Sequence, residues 1–402
     1  MKALVVGAGA QGGPAAAILS KQDFVTKIIL GDINHQLAER WRDKIGGDKV
    51  EAIKIDASDP QKMIDAAKDA GIDVIFDFTA AEFSVNVMKA SVALKTHYIN
   101  SAASATHLLD FVAHKPLEFD EDYVKNKRTA LLGCGETPGI VNVIIRDYCD
   151  RMDTVKSIRI RAGNPDGYDD NLVKVWHPTW SPAQQLADYS DPSMLFSDGK
   201  HNPVPIFSGP ELYDFGGRVG KVLLTHHSHD ETYTLPINIG KGMEYCDFKF
   251  TYDPVVAMLV GNGFASEEPV NVKGTMVKPK DLVMAIVPKP ADTAILDVET
   301  QRKYVDSMLD WCIHIIIEGT ANGKDVCYKI ETRALNDQGD KALDLFGVAA
   351  VSVPYSAVTG ARMIFEGLLK PGIVWPDQLQ PKRYFEIMKD MGLDLIYKEL
   401  SD

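Results

Sequence analysis

The sequence predicts an α/β protein in two parts, a doubly wound parallel sheet followed by an α+β domain with a largely antiparallel sheet. Short apolar runs alternate with helix-compatible segments up to about residue 148, and a glycine-rich motif directly follows the first run. Strands that alternate with helices form a parallel sheet covered by helices on both faces. Beyond that point the pattern changes to alternating strands and a hairpin signal, which is typical of antiparallel sheets.

Six apolar runs are the predicted strands of the first domain: residues 2–6, 27–30, 50–55, 74–78, 97–100 and 129–132. The helices predicted between them are residues 12–20, 35–43, 60–70, 82–93 and 103–125. We assign residues 1–148 to this domain.

The second domain is assigned to residues 149–345 from two patterns. Residues 157–162 alternate with the period of a half-buried strand, and Asn322-Gly323 lies between the strand-like runs 311–317 and 326–333. Asn-Gly between two such runs is a strong hairpin signal. The segment from the end of that strand, at residue 162, to about Tyr233 is dense in Pro and Gly, and we expect it to be mostly loops. The chain becomes helical again near residue 352, so we expect residues 346–402 to pack back on the first domain as helices.

Composition limits the function classes. The formal net charge of −13 argues against a nucleic-acid or anionic-membrane partner, because phosphate would repel such a surface. No apolar run approaches the roughly 18 residues that span a bilayer, and a first strand beginning at residue 2 leaves no room for a signal peptide. The five cysteines are widely spaced, which indicates neither a zinc site nor a disulfide framework; they are Cys134, Cys149, Cys246, Cys312 and Cys327. We expect reduced thiols and a cytoplasmic location.

The motif Gly7-Ala8-Gly9-Ala10-Gln11-Gly12 follows the first strand and opens the first helix. In such a motif the first glycine permits a tight turn, the second lets the backbone approach a pyrophosphate, and the third lets the helix pack closely on the strand. The helix N-terminus attracts the phosphates. We therefore predict a Rossmann-type dinucleotide site with five contacts: Gly7, Gly9, Ala10, Gln11 and Gly12. The alternative is a flavodoxin-like domain whose glycines serve only packing.

Asp32 ends the second predicted strand, where a carboxylate accepts hydrogen bonds from the adenosine ribose hydroxyls. The same carboxylate would repel a 2′-phosphate, and residues 33–36 contain no Arg or Lys, so we predict NAD rather than NADP. Further cofactor contacts are expected at the carboxyl ends of the strands, where ligands bind in open α/β sheets. These residues are Ile33, Asp56, Ala57, Phe78, Thr79, Ala80, Asn100 and Ser101.

The segment Gly133–Gly139 closes the sixth predicted strand and opens a helix. Its glycines, with Pro138 just inside the helix, expose backbone N–H groups that suit a carboxylate or the nicotinamide amide. The alternative is an ordinary strand-to-helix turn. We place Pro138 among the cofactor contacts and Glu136 among the candidate catalytic residues. Cys134 in this loop is either a catalytic thiol or, as cysteine usually is, a small buried hydrophobe.

Two segments of the second domain combine His and Trp with polar residues, as pocket-lining loops do. One is residues 176–182 and the other is residues 226–232. His227 and His229 would share one face of a strand, as metal ligands can. Hydride transfer needs no metal, however, and no spaced carboxylate partner is evident, so we predict no metal site. For His226 the alternative is a solvated loop position.

Together these motifs resemble the saccharopine dehydrogenase-like oxidoreductases, and most closely the lysine 6-dehydrogenase type. The resembling segments keep one order along nearly the whole chain: residues 5–9, 133–142, 180–182, 198–205, 231–236, 277–282 and 372–379. The resemblance implies a Rossmann domain interrupted by a dimerising substrate domain, with C-terminal helices that return to the first domain. Two features depart from the lysine 6-dehydrogenase type: Glu136 stands at a position that is usually apolar there, and the triplet His229-Asp230-Glu231 is more polar and resembles branches with other substrates.

We therefore expect a homodimeric, NAD-dependent oxidoreductase that acts on a C–N bond of a small amine-bearing acid, by oxidative deamination or by the reverse imine reduction. One alternative is an opine- or carboxynorspermidine-type reductase that joins an amine to an aldehyde or keto acid. An alcohol or hydroxy-acid dehydrogenase is another. The alternative of a different class is a non-catalytic NAD-sensing protein.

The expected catalytic residues are Glu136, His229 and Glu231. Glu231 is placed to pair with a substrate ammonium, and His229 to move the proton because an unperturbed imidazole has a pKa of roughly 6.5. The alternative for Glu231 is an ion pair with a Lys or Arg at the domain surface. Five further residues are expected to contact substrate: Arg161, Trp176, His177, Trp180 and Thr232. Among these, Arg161 is the expected carboxylate anchor and the tryptophans the apolar wall.

Overall fold

The structure is a computed structural model that describes residues 1–102, 115–164, 176, 178, 180–290, 294–302, 311–332, 338–349, 351–393 and 397–400. Three parts of the predictions lie outside the described residues: residues 103–114 of a predicted helix, residue 333 at the end of the predicted hairpin, and the candidate substrate residue His177.

The N-terminal part is a parallel sheet covered by helices, which confirms the predicted fold class. Its strands are β1 (Lys2–Val6), β2 (Lys27–Asp32), β3 (Val50–Lys54), β4 (Val74–Asp77), β5 (His97–Asn100) and β6 (Thr129–Leu131). Its helices are α1 (Gly12–Ser20), α2 (His35–Ile45), α3 (Pro60–Ala67), α4 (Ser84–Leu94) and α5 (Lys115–Asn126). The spatial order is β6-β5-β4-β1-β2-β3. The order reverses between β1 and β4, and ligands bind at the carboxyl ends of such strands.

The second part is a mixed sheet in which most neighbours are antiparallel. Helix α6 (Ile140–Asp150) leads into it. The strands are β7 (Thr154–Gly163), β8 (Ser193–Ser197), β9 (Lys200–Val204), β10 (Glu211–Asp214), β11 (Lys221–His226), β12 (Tyr245–Thr251), β13 (Val270–Val272), β14 (Thr275–Val277), β15 (Cys312–Ala321) and β16 (Lys324–Glu331). Strands β7 and β12 are parallel, while β13 and β14 form a small separate sheet. The helices are α7 (Pro182–Ser190), α8 (Glu231–Ile239), α9 (Pro254–Gly261) and α10 (Pro279–Ile286).

Tight hairpins build much of this sheet. Asn322 and Gly323 both have positive φ, 52° and 70°, and join β15 to β16 as predicted. Asp198 and Gly199, with φ of 55° and 74°, join β8 to β9 in the same way. Two successive residues of positive φ match the right-handed twist of the flanking strands. The expectation of a loop-rich segment before Tyr233 was therefore wrong, because β8 to β11 and α7 lie within it.

The C-terminal segment contributes one strand to each of the two large sheets. It consists of α11 (Gly339–Phe346), α12 (Ser352–Phe365), β17 (Gly372–Val374), α13 (Pro381–Asp390) and β18 (Lys398–Glu399). Helix α12 packs on α1, and β17 extends the parallel sheet beside β6 as a seventh strand that the sequence did not predict. Strand β18 pairs with β16 of the second sheet. The return of the chain to the first domain agrees with the predicted architecture, whereas the boundaries at residues 148 and 345 stay predictions.

Within the described ranges, none of the helices has the length and apolar character that crossing a membrane requires.

Candidate active site

The loop between β1 and α1 has the close contacts that its glycines predict. Gly7 has a φ of 94°, and a Cβ there would lie 2.6 Å from a carbonyl oxygen of the loop after β4. A Cβ at Gly12 would lie 1.7 Å from the carbonyl oxygen of Gly7, so this glycine serves the turn itself. Gly13 is the residue that packs on another element, since its Cβ would lie 1.9 Å from the ring of Trp41. A Cβ at Gly9 would meet no atom of the described chain within 4 Å.

Asp32 lies at the end of β2 and is bonded to the glycine-rich loop. Its Oδ2 accepts a hydrogen bond from the Ala8 N–H and its Oδ1 from the Asn34 N–H, each at 2.7 Å. A carboxylate oxygen can accept a second hydrogen bond, so Asp32 can hold the loop and still accept from ribose hydroxyls. The other predicted contacts in this region are at least partly exposed: Ala10, Gln11 and Ile33.

Asp77 was not among the predicted residues, yet it holds the loop after β4. Its Oδ1 accepts from the N–H and the hydroxyl of Thr79 at 3.0 and 2.6 Å, and its Oδ2 accepts from the Tyr98 hydroxyl at 2.7 Å. Burial raises the pKa of Asp77, and these hydrogen bonds oppose the rise. The available signal was an acid at the end of an otherwise apolar strand. Asp77 thus fixes the segment that contains the expected contacts Phe78, Thr79 and Ala80.

The loops after β5 and β6 contact each other at the same edge of the sheet. The Asn100 side-chain oxygen accepts from the Gly133 N–H at 2.7 Å, and a Cβ at Gly135 would lie 2.8 Å from the carbonyl oxygen of Ser101. On the other side of β1, Asp56 accepts from the Ser58 hydroxyl at 2.6 Å within its own turn, where Ala57 is half-buried. Contact of these residues with a cofactor stays a prediction.

The loop before α6 connects the two domains through Thr137. The Thr137 hydroxyl donates a hydrogen bond to Oε1 of Glu231, the first residue of α8. The Gly139 N–H donates to the side chain of Asn142 at 2.9 Å and so caps α6. Pro138 is buried between these groups. The loop is therefore more than a strand-to-helix turn, because it holds a carboxylate of the second domain over the carboxyl edge of the parallel sheet.

The buried Glu231 pairs with the half-buried His229. Glu231 is 0% exposed, and its Oε2 lies 2.6 Å from Nδ1 of His229. Burial lowers the pKa of His229, but the negative charge of Glu231, with smaller contributions from Asp188 and Asp230, raises the pKa above its ordinary value. The alternative of a surface ion pair for Glu231 is excluded by its burial.

Asp188, on α7, extends this acidic group toward the cofactor side. Burial raises the pKa of Asp188 to about 7, and the nearby His229 opposes the rise. The Gln184 amide donates to Oδ1 of Asp188 at 2.8 Å, and its oxygen accepts from the Ala81 N–H of the loop after β4 at 3.4 Å. Neither Asp188 nor Gln184 was predicted, because only the docking of α7 on the first domain brings them here.

Aromatic rings line one side of this acid–imidazole group. The His229 ring stacks on Phe248 with centroids 3.8 Å apart, and the buried His227 ring stacks on Phe250 at 4.9 Å. Trp180 and Trp311 contact Phe250 at 5.8 and 5.5 Å. Burial lowers the pKa of His227 well below its ordinary value, so His227 is a neutral member of the aromatic wall.

Glu136 lies where the first domain, the second domain and α12 meet. Its Oε2 accepts from the Ser352 hydroxyl at 3.1 Å. Burial raises the pKa of Glu136 to about 7, and the Ser352 hydroxyl and the neighbouring Trp311 side chain oppose the rise. A carboxyl group that titrates near neutral pH is suited to proton transfer.

Arg161 does not lie on the side of the sheet that faces His229. It pairs in register with Lys249, whereas Phe248 beneath His229 points to the opposite face because successive strand residues alternate. We call the face that carries Arg161, Asp247 and Lys249 the far face. The Arg161 guanidinium binds Asp247 at 2.8 Å and Glu211 at 3.0 Å. Its expected role as a substrate anchor is corrected to that of a buried ion pair between strands.

Two other expected roles and one expected position change. Thr232 is 0% exposed and its hydroxyl donates to the His229 carbonyl oxygen at 2.9 Å, so it positions His229. Trp176 is 7% exposed and its indole N–H donates to Gln185 of α7 at 2.9 Å, which places it in the core against α7. Strand β11 ends at His226, so His227 and His229 are loop residues and not two positions of one strand.

Cys134 is fully buried, and burial raises the pKa of its thiol to about 12. A nucleophilic cysteine needs a lowered pKa. The buried-hydrophobe interpretation therefore applies.

Two family models match the chain, the saccharopine dehydrogenase NADP binding domain over residues 3–131 and the saccharopine dehydrogenase C-terminal domain over residues 135–393. Among solved structures, apo saccharopine dehydrogenase (L-Glu forming) from Saccharomyces cerevisiae is similar at 15% identity with a TM-score of 0.64, over 100% of both chains. A homospermidine synthase from Legionella pneumophila, in complex with NAD, is similar at 13% identity with a TM-score of 0.61, over 99% of this chain and 91% of that chain.

At these identities the structural likeness shows the fold, while the family models cover nearly the whole sequence. The resemblance seen in the motifs is confirmed at the level of the family, and the lysine 6-dehydrogenase type stays a prediction. The chain belongs to the saccharopine dehydrogenase family.

Proposed function

We propose that this protein is an NAD-dependent oxidoreductase that removes hydride from a carbon bearing an amine, or returns hydride to the corresponding imine. The observation that carries the proposal is the hydrogen-bonded group formed by Thr137, Glu231 and His229, which joins the loop after β6 to the second domain. It lies at the carboxyl edge of the parallel sheet, and the residues of that sheet match the family's NADP binding domain over residues 3–131.

The residues of the first domain fit a dinucleotide. Internal packing does not require glycine at position 9, so close approach of a pyrophosphate is the reason we assign to Gly9. A bound nicotinamide ring supplies the acceptor or donor of hydride. The matching family model is described as NADP binding, but the Asp32 carboxylate would repel a 2′-phosphate and residues 33–36 carry no Lys or Arg. We therefore propose NAD.

Proton transfer is assigned to His229. A substrate ammonium must lose a proton before the nitrogen lone pair can form the C=N bond as hydride leaves the carbon. Glu231 accepts a hydrogen bond from Nδ1 of His229 at 2.6 Å. Nε2 therefore points away from Glu231 and is the atom that accepts the substrate proton. The Glu231 charge stabilises the imidazolium once it forms. The aromatic wall of Phe248, Phe250 and Trp180 lowers the polarity on one side of the site, which favours the neutral amine. In deamination, water then adds to the imine carbon and the departing amine recovers a proton.

The charges around His229 indicate which class of substrate the site attracts. Three carboxyl groups act on its pKa, those of Glu231, Asp188 and Asp230, and aromatic rings lie beside them. Carboxylates and aromatic faces both attract organic cations. We propose a substrate with at least one aliphatic ammonium group. A carboxylate on that substrate would need an anchor other than Arg161.

A substrate panel followed at the NADH absorbance tests the proposal. It should contain amino acids including lysine, diamines, polyamines, alcohols and hydroxy acids, and each compound should also be tested with Glu231→Gln. We expect NADH formation with an amine and loss of that signal in the variant. Activity on hydroxy acids or alcohols alone would contradict the amine assignment. If the protein binds NAD but neither oxidises any compound of the panel nor reduces the corresponding imines, the result would instead support a nucleotide-sensing protein.

A further inference from the structure

Three side chains that bind metal ions meet on the far face of the second sheet, away from the candidate active site. Cys312 and His314 alternate on β15, and His314 pairs directly with Glu331 on β16. One donor atom of each lies within 4.8 Å of the others. All three residues are buried, with exposures of 0%, 1% and 4%. Strand pairing alone brings them together, which is why the spacing of the cysteines in the sequence predicts no such site.

The spacing of two of the three donor atoms matches that of two ligands on one tetrahedral ion. His314 Nε2 and Glu331 Oε1 are 3.5 Å apart. Two donors bound to one Zn²⁺ at about 2.0–2.1 Å with a tetrahedral angle are separated by roughly 3.4 Å. The separation is therefore the one that two ligands of the same ion require, and it is longer than a good hydrogen bond between these groups.

The surrounding groups hold the two ligands in this orientation. The Tyr213 hydroxyl is 3.0 Å from His314 Nδ1, so it fixes the ring with Nε2 toward Glu331. Metal-bound histidines characteristically use their second nitrogen in this way. Lys398 contacts Oε2 of Glu331 at 3.0 Å and leaves Oε1 directed at His314.

The local environment suits a thiolate bound to an ion. Cys312 packs in a small apolar cluster of Phe215, Val219, Val222 and Leu224. Arg161 on β7 is the direct cross-strand neighbour of His314, and its guanidinium pairs with Asp247 and Glu211. An imidazole, a carboxylate and a thiol that are buried side by side form a set of ligands that a divalent ion can bind.

We propose that Cys312 Sγ, His314 Nε2 and Glu331 Oε1 bind one Zn²⁺ ion. The ion would lie outside the candidate active site, because its ligands are on the opposite face of the sheet from Phe248 and His229. It ties β15 to β16 and, through Tyr213, to β10. This site is independent of the proposed oxidoreductase function, and its test does not depend on finding a substrate.

The test uses the full chain without an affinity tag, stripped with a chelator and titrated with Zn²⁺ and with Co²⁺ as a spectroscopic probe. We expect one ion per chain by elemental analysis and a thiolate-to-Co²⁺ charge-transfer band in the near ultraviolet. The band should be lost in Cys312→Ser and kept in Cys327→Ser, which removes the exposed thiol of β16. Zn²⁺ should also raise the Tm of the native chain and of Cys327→Ser.

Tyr213→Phe tests the site even if the variants of the ligand residues fail to fold. It removes only the hydroxyl beside His314 and should weaken Zn²⁺ binding about 10- to 100-fold, the usual effect of losing such a partner. No charge-transfer band in the native chain, or a band that survives in Cys312→Ser, would overturn the proposal. Equal Zn²⁺ affinity in the native chain and in Tyr213→Phe would mean that the ion binds elsewhere and adventitiously.

Discussion

Replacing Glu231 by Gln removes one negative charge from the pair with His229 and keeps the size of the side chain. The contact is short, 2.6 Å, and Glu231 is fully buried. A hydrogen bond to a charged group contributes about 1.5–3 kcal/mol. If the imidazolium forms in the transition state, this corresponds to a loss of roughly 10- to 150-fold in kcat/KM. His229→Gln should lose about 10²-fold or more, the scale of a missing acid–base group.

The pH profile gives a second and independent readout of the same change. Burial lowers the pKa of His229 and the Glu231 charge raises it, so the pKa falls when that charge is removed. Amine oxidation needs neutral His229, and its rate therefore rises with pH through this pKa. In Glu231→Gln the rising limb should move to lower pH while NAD affinity is unchanged.

Glu318→Gln is the matched control for this variant. Glu318 lies on β15, points to the far face and pairs with Arg159 at 2.7 Å, with 40% of its side chain exposed. The same substitution there should leave kcat/KM and the pH limb at their native values. Near-native kcat/KM in Glu231→Gln, together with an unshifted limb, would remove this pair from the mechanism and leave Glu136 as the candidate.

Further substitutions test the cofactor site, the second carboxyl group and the assembly. Asp32→Ala should weaken NAD binding by about 1–3 kcal/mol by calorimetry, and Ile33→Arg should shift preference toward NADP; tighter binding of NADP than NAD by the native chain would contradict this. Gly13→Ala should destabilise the fold by about 1–3 kcal/mol because its Cβ would overlap the Trp41 ring. Gly9→Ala should leave the Tm unchanged and weaken NAD binding. An unchanged Tm in Gly13→Ala, or unchanged NAD binding in Gly9→Ala, would contradict these expectations. If Glu136 moves a proton, Glu136→Gln should abolish a limb of the pH profile near pH 7, where burial sets its pKa, and a persistent limb would assign it to another group. Light scattering should give twice the chain mass for the proposed homodimer, and a mass near 44.2 kDa at micromolar concentration would exclude it.

The first domain could be predicted because its signals are local. Each central strand is one apolar run, and the glycine motif fixes the first turn by its own backbone geometry. The hairpin at Asn322-Gly323 is equally local. The turn at Asp198-Gly199 carries the same signal, but it lies in a segment rich in Pro and Gly, whose composition favoured loops. Strand β17 was missed because three residues far along the chain acquire their partner only in the folded sheet.

The residues of the candidate site also fall into those that local sequence predicts and those that depend on tertiary packing. His229 and Glu231 could be found because clustered polar residue types mark a functional loop. Asp188 and Phe248 could not, since their role depends on how α7 and β12 pack beside that loop. For Arg161 the alternating pattern correctly predicts a strand, but it does not tell which face of the strand is turned toward the cleft.

The position of β17 has a consequence for synthesis of the protein on the ribosome. Gly372 pairs with Thr129 of β6, so that strand keeps an open edge until nearly the whole chain has been translated. The N-terminal domain of a nascent chain usually folds first, but here it would wait with an unpaired strand, and such edges recruit other chains. Ribosomes that stall before residue 372 should therefore release products that aggregate, even though every residue of the nucleotide-binding loop has already been made.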